Sequence, residues 1–345
     1  MRTLLPQLRR WIGRGERFAL ATVVRVEGSA PRAPGECLII SEDGLHFAGA
    51  VSSGCLENEV LEAAGAVLRS GRMQRLHFGP DGVFPWREGL SCGGRIEVSV
   101  EPWWGCLAEE DLQGVGELVM ACLEDDLGCL VLSRGGDHYA EDAEGLGTGR
   151  RQCFDSGLLE TARGLMQAGS ESQCVGEGEE TVVIRLIHPR RRLAISGAVD
   201  LAVRVVPLAR AAGYRSVVID PRRAYASEER FPEAPDELLC GWPGELIPGL
   251  QLGPRDAALV LSHDPKIDDP ALVALLRTGV GYVGALGSVT SHSKRLARLR
   301  EQGVEESLLP RIEGPAGLKL GVDAASVAMG IMAGVVRGAR RGQPA

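Results

Sequence analysis

The chain has 345 residues, 44% of them hydrophobic and 24% charged, enough to fill the cores of about two domains of roughly 150 residues each. A formal net charge of −8 and a pI near 5.4 leave no surplus of Lys and Arg to neutralise phosphates along a duplex, which argues against general nucleic-acid binding. The opening MRTLLPQLRRWIGRGERF is broken by Pro6 and by charges before an apolar core can form, so no signal peptide is expected, and no apolar run of about 18 residues suggests a membrane span. Nine cysteines, odd in number and irregularly spaced, fit a reducing cytoplasm better than a disulfide framework, and none forms a CxxC pair or a Cys/His cluster with zinc spacing.

In chain order, a short helix is expected over Leu4–Ile12, followed by a strand, FALATVVRVEG, whose Val, Ala and Leu suit a buried sheet position. The loop GSAPRAPGE leads into the strand ECLIIS, and Phe47–Val51 extends again. After Gly54, the apolar residues Leu56, Val60, Leu61, Ala64 and Leu68 recur at helical spacing and stop at Gly71. RIEVSVEPW follows the turn SCGG as a strand. A helix is expected over Leu107–Glu124, then the strand GCLVLSR, a helix over Gly157–Gln167 and the strand TVVIRLIHP. From Arg192 onward strands and helices alternate (RLAIS, Asp200–Ala212, SVVID, AALVLS, Asp269–Thr278, YVGAL), which predicts a parallel, doubly wound sheet. No internal repeat is visible in the sequence.

Four stretches could carry chemistry. A strand ending at Gly197, a helix, and a second strand ending at Asp220 have the layout of a dinucleotide-binding unit, in which the acid holds a ribose hydroxyl. The GxGxxG pattern fails at Val199 and Ala202, so a structural βαβ unit is the simpler reading, with nucleotide binding through the helix-start amides still open. SHDPKIDDP places His263, Asp264 and Asp268 beside the crevice beyond the strand ends; the bland alternative is an Asp capping the next helix with a His bonded to it. GALGSVTSHSKR, with Gly287 and Ser288 at its turn, is a second helix-start anion cradle. Cys55 is expected at the first turn of a helix, where peptide dipoles favour the thiolate. Cys92 lies between Ser91 and the Gly93-Gly94 pair, with Arg95 as a nearby cation. On position alone an inert buried role is the simpler reading of either cysteine, and Cys37, Cys122 and Cys129 read as core filler.

Together these stretches resemble the XdhC/CoxI family, accessory proteins that bind molybdenum cofactor and insert it into xanthine dehydrogenase-type enzymes. The likeness rests on GSAPRAPGECLIIS, VSSGCLENEV, LSCGGRIEVSVEP, HPRRRLAISGA, VVIDPRRAYASEERFP, LSHDPKIDDPAL, YVGALGS and GPAGLKLG, in the family's order. It implies an α/β protein with an N-terminal domain over 1–188 carrying two cysteine loops and a Rossmann-like, doubly wound parallel-sheet domain over 189–345. It also implies a homodimer and a molybdopterin ligand, plain or as its cytosine dinucleotide, between the parts. The activity implied is that of a non-catalytic cytoplasmic chaperone, with a molybdenum hydroxylase as client and a cysteine desulfurase as sulfur donor. Cys55 and Cys92 would meet the metal, with Gly54, Gly93, Gly94 and Arg32 about them. Gly197, Asp220, His263, Asp264, Gly287 and Ser288 would complete the cofactor site, Gly197 and the Gly287-Ser288 turn toward the anionic tail. The chain departs from the family pattern at Val199 and Ala202, at Val289 and Thr290 where a basic pair is usual, at Pro265 where a second histidine is usual, and in VDAASVAMGIMAGVV. A nicotinamide-dependent oxidoreductase built on the C-terminal domain and a sulfur-transfer protein acting through Cys55 are the alternatives.

Overall fold

The structure, a computed structural model, describes residues 1–28, 32–79, 94–176 and 180–341, without the side chains of 339–341. The chain divides into two compact units, Met1–Pro189 and Arg190–Ala345.

The first unit runs α1 (Leu5–Gly13), β1 (Phe18–Glu27), β2 (Cys37–Ser41), β3 (Phe47–Gly49), α2 (Glu57–Ser70), β4 (Gln74–Phe78) and β5 (Arg95–Pro102). It continues with α3 (Glu110–Glu124), β6 (Cys129–Arg134), β7 (Asp137–Asp142), β8 (Gly147–Gly149), α4 (Ser156–Gln167), β9 (Gln173–Val175) and β10 (Val182–Ile187). Two five-stranded sheets result, ordered β3-β2-β1-β5-β4 and β8-β7-β6-β10-β9. The continuous apolar run of β1 follows from burial on both faces. Phe18 and Leu20 enter a core shared with Val131 and Ile187 of the second sheet, whereas Ala19, Ala21 and Val23 pack with Val60, Ala64 and Val67 of α2. α4 covers the outer face of the second sheet in the same way, through Leu159 and Ala162.

The two sheets are two copies of one module, which corrects the expectation of a chain without a repeat. Strand order, the helix between the third and fourth strands, and strand register all recur. Thr22 pairs with Cys37 as Ser133 pairs with His138, and Leu20 pairs with Glu101 as Val131 pairs with Arg185. Gly49, at φ 92°, would drive a Cβ into the Cys37 carbonyl and Leu4; Gly149, at φ 97°, would drive one into the His138 carbonyl and Val115. The module needs only the alternation of apolar positions and these close approaches, so its two copies need not share a sequence.

Glu101 and Arg185, equivalent positions of the two copies, meet as an ion pair with both side chains essentially sealed from solvent. Arg185 also donates to Ser133 Oγ at 2.8 Å and to Thr22 Oγ1 at 3.2 Å, and its guanidinium lies 5.6 Å from the Trp104 ring. His138 Nδ1 stands 3.0 Å from Ser133 Oγ and 3.5 Å from Glu101. Burial depresses the His138 pKa, against the pull of Glu101.

The second unit runs β11 (Arg191–Ser196), α5 (Asp200–Ala211), β12 (Tyr214–Asp220), β13 (Glu237–Cys240), α6 (Pro243–Leu246), β14 (Ala257–Val260), α7 (Pro265–Leu276), β15 (Tyr282–Ala285), α8 (Val289–Glu301), β16 (Ile312–Glu313) and α9 (Ala324–Arg341). Its six strands are all parallel in the order β13-β12-β11-β14-β15-β16, with one core under α5 and α9 and another under α7 and α8. This is the doubly wound Rossmann arrangement, and its direction of winding reverses between β11 and β14.

Removing one partner of the sealed pair leaves an uncompensated buried charge. Arg185→Met is expected to lower urea-unfolding stability by about 3–5 kcal/mol, and adding Glu101→Leu to recover most of that loss.

Candidate functional site

In the first module the β1–β2 connection (28–36), the β3–α2 connection (50–56) and the β4–β5 connection (79–94) all leave the same end of the sheet, because β2 and β5 run antiparallel to β1. Their counterparts in the second module are 135–136, 150–155 and 176–181, so the first and third are much shorter there. Cys55, Gly54, Arg32 and Gly94 therefore lie on one end of one sheet. Cys92 and Gly93 fall outside the described residues.

Cys55 is exposed and sits one residue ahead of the Leu56 cap of α2, just outside the first helical turn in which the sequence pattern places it. Its loop is organised by Ser52, which is buried. Ser52 Oγ accepts the amides of Gly54, Cys55 and Leu56, each at 3.1 Å, and donates to Glu57, whose Oε1 receives the Ser52 amide at 3.0 Å. Burial raises the Glu57 pKa, but the Ser52 hydroxyl and amide outweigh it and hold the carboxyl below its usual range. Gly54 takes φ 105°, with open space where a Cβ would stand. Arg32 Nε donates to the Ser52 carbonyl at 3.2 Å, tying the first connection to the second, and its Nη1 and Nη2 carry no hydrogen bond among the described residues. Ser52 and Glu57 escape a reading of the sequence because they are five residues apart, not the three of a capping box. The sister connection has filled its own space: Phe154 is buried under Arg134, and Arg150 is spent on Asp111 and Asp137.

The carboxyl edge of the parallel sheet holds the remaining expected residues, and its side chains are largely spoken for. Gly197, at φ 100°, lies against the Ser262 backbone, where a Cβ would come within 2.8 Å of the amide nitrogen. Asp220 is sealed: Oδ2 accepts the Ala198 amide at 2.8 Å and Arg222 Nη2 at 2.7 Å, and Oδ1 accepts the Arg222 amide and Nε at 2.9 Å. Burial pushes its pKa up, yet the Arg222 and Ala198 donors hold it below the ordinary value of 3.8. Asp264 caps α7, accepting the Lys266 amide at 2.9 Å, and Ser288 caps α8, accepting that of Ser291 at 3.1 Å. His263 is exposed in a left-handed conformation at φ 63°. Asp268 is buried and takes the Ser262 hydroxyl at 2.5 Å. Among the described residues, no three His, Cys, Asp or Glu side chains converge as a metal set.

A duplicated sandwich module with one elaborated end that carries the exposed Cys55 loop, followed by a Rossmann-type unit, defines a two-unit α/β protein. Residues 11–79 match the profile described as XdhC and CoxI family, and residues 193–335 match the XdhC Rossmann domain. The chain belongs to the XdhC/CoxI family. It is 28% identical over 331 residues to a Bacillus subtilis protein named as a probable xanthine dehydrogenase component, covering 94% of each protein. It is 27% identical over 323 residues to the molybdenum cofactor insertion chaperone PaoD of Escherichia coli, covering 93% of this chain and 83% of that one. A crystal structure described as a xanthine dehydrogenase from Bacillus halodurans shares the fold, with a TM-score of 0.74 and 24% identity over 98% of this chain and 96% of the other.

Two expectations follow. Ser52→Ala leaves three amides without their acceptor and lets Glu57 titrate nearer its usual value; urea titrations should show a loss of about 1–2 kcal/mol. The Asp220 pKa is depressed by folding, so its contribution to stability is complete above about 3.8 and is lost as pH falls through the lower folded value. Asp220→Asn should therefore lower stability at neutral pH and flatten that part of the acid decline, read as unfolding midpoints between about pH 6 and pH 2.

Proposed function

We propose that the protein binds molybdenum cofactor at the elaborated end of its first module and delivers it to a molybdenum hydroxylase client. The observation that carries this reading is an exposed Cys55 on a loop whose Ser52 carbonyl is held by Arg32 of the neighbouring connection, both being connections that the second module has shortened or filled. The donor set suits the cargo: molybdopterin presents a dithiolene-bound metal, for which a thiolate is a fitting soft partner, and a phosphate, for which a guanidinium whose Nη groups carry no hydrogen bond among the described residues is one. Membership of the XdhC/CoxI family, and likeness to a relative named as an insertion chaperone over most of both chains, support the same reading. Hydride transfer with a nicotinamide cofactor is disfavoured, because both oxygens of Asp220, the expected ribose acceptor, already hold protein donors.

Expression in a host that makes the cofactor, followed by molybdenum and pterin analysis of the purified protein, tests the reading. Retained cofactor is expected to fall at least about tenfold in Cys55→Ser and in Arg32→Ala, as expected for loss of a charge-assisted contact. Unchanged retention in both variants, with undiminished activation of a client hydroxylase, would overturn it.

A further inference from the structure

Cys37, Thr22 and Arg185 form a chain whose proton directions are settled by chemistry. A guanidinium only donates, so Thr22 Oγ1 accepts from Arg185 Nε, at 3.2 Å. Cys37 Sγ donates its single proton to the Gly35 carbonyl at 3.1 Å, so at the 3.6 Å contact between Thr22 and Cys37 the hydroxyl is the donor. The run is therefore Arg185 Nε–H to Thr22 Oγ1–H to Cys37 Sγ–H to the Gly35 carbonyl. Arg185, Thr22 and Cys37 are all buried, so the bonds among them act where water does not compete, and the last bond reaches out to the half-buried Gly35 carbonyl.

The chain ends on a connection of the first module and begins on a strand of the second. Gly35 takes φ 90°, bonds the Val23 carbonyl at 2.7 Å through its amide, and lies against Ser172 of the second module, whose Oγ would stand 3.0 Å from a Cβ at this position. Ser172 is held in turn by the Leu186 amide, at 3.0 Å. Three residues upstream on the same connection, Arg32 holds the Ser52 carbonyl and with it the Cys55 loop.

We propose that the second module acts as a template for the first: through Arg185, Thr22 and Cys37 it fixes the Gly35 connection, and through Arg32 it sets the position and reactivity of Cys55. Thr22 and Cys37 are positioning residues and touch no cargo. That Cys55 meets the cofactor rests on the function proposed above; that Cys55 is positioned from Arg185 does not.

The test uses the full chain without cofactor and follows Cys55 by peptide-resolved iodoacetamide alkylation, with unfolding midpoints recorded in parallel. Thr22→Val keeps the shape but can neither accept from Arg185 nor donate to Cys37; Cys37→Ala removes the last donor. Each is expected to change the Cys55 alkylation rate by about fivefold, the equivalent of one hydrogen bond, while Thr22→Ser and Cys37→Ser restore the parental rate. An unchanged rate in both Thr22→Val and Cys37→Ala overturns the proposal. So does a change that follows the unfolding midpoint alone and is not rescued by the serine variants, because general loosening would then account for it. Cofactor retention measured on the same proteins separates the two claims: rates that shift as expected in a chain that never retains cofactor leave the template standing and remove the cargo.

Discussion

A carboxylate and a guanidinium sealed between two sheets set the terms for the whole first unit. Glu101 and Arg185 occupy the same place in two copies of one module and have opposite charges, so each copy completes the other. A buried pair of this kind adds little net stability compared with well-packed apolar side chains, but losing either member is costly. That asymmetry penalises any packing of the sheets that separates the two groups. Thr22, Ser133 and His138 surround the pair from the same inner faces, so the interior is apolar toward Phe18, Trp103 and Ile187 and polar toward the end that carries the Cys55 loop.

Duplication also gives the molecule an internal control. The second module closes its connections with a two-residue turn at 135–136, with buried Phe154 and with arginines committed to neighbouring carboxylates. The first module lengthens the corresponding connections, leaves Cys55 exposed and leaves open space around Gly54. Since the scaffold is the same, the two modules differ chiefly in these connections. Backbone order on that open end comes from Ser52, which gathers three amides that a longer helix would have satisfied itself.

Much of the architecture is legible in the sequence. The run from Arg192 onward has the period of a parallel sheet, and Gly71 stops α2 in a left-handed conformation as expected. The first unit is harder to read because β7, β8 and β9 are short and partly polar and because registers, which reveal the repeat, leave no pattern in a single chain. At the site, residue types are legible but commitments are not. Asp220 has the type and spacing of a ribose acceptor, yet the arginine two residues later occupies it; Asp264 and Ser288 act as helix caps. Cys37 reads as core filler and is buried, but what distinguishes it is Arg185, remote in sequence and two bonds along.

Hydrogen exchange compared between cofactor-loaded and cofactor-free protein, resolved to peptides over the whole chain, tests the central claim most directly. Protection concentrated in residues 32–36 and 50–57, with the sister turn at 150–155 unchanged, is the predicted result. Protection that leaves both first-module connections unaffected and appears at the sister turn or along the carboxyl edge of the parallel sheet would contradict the account.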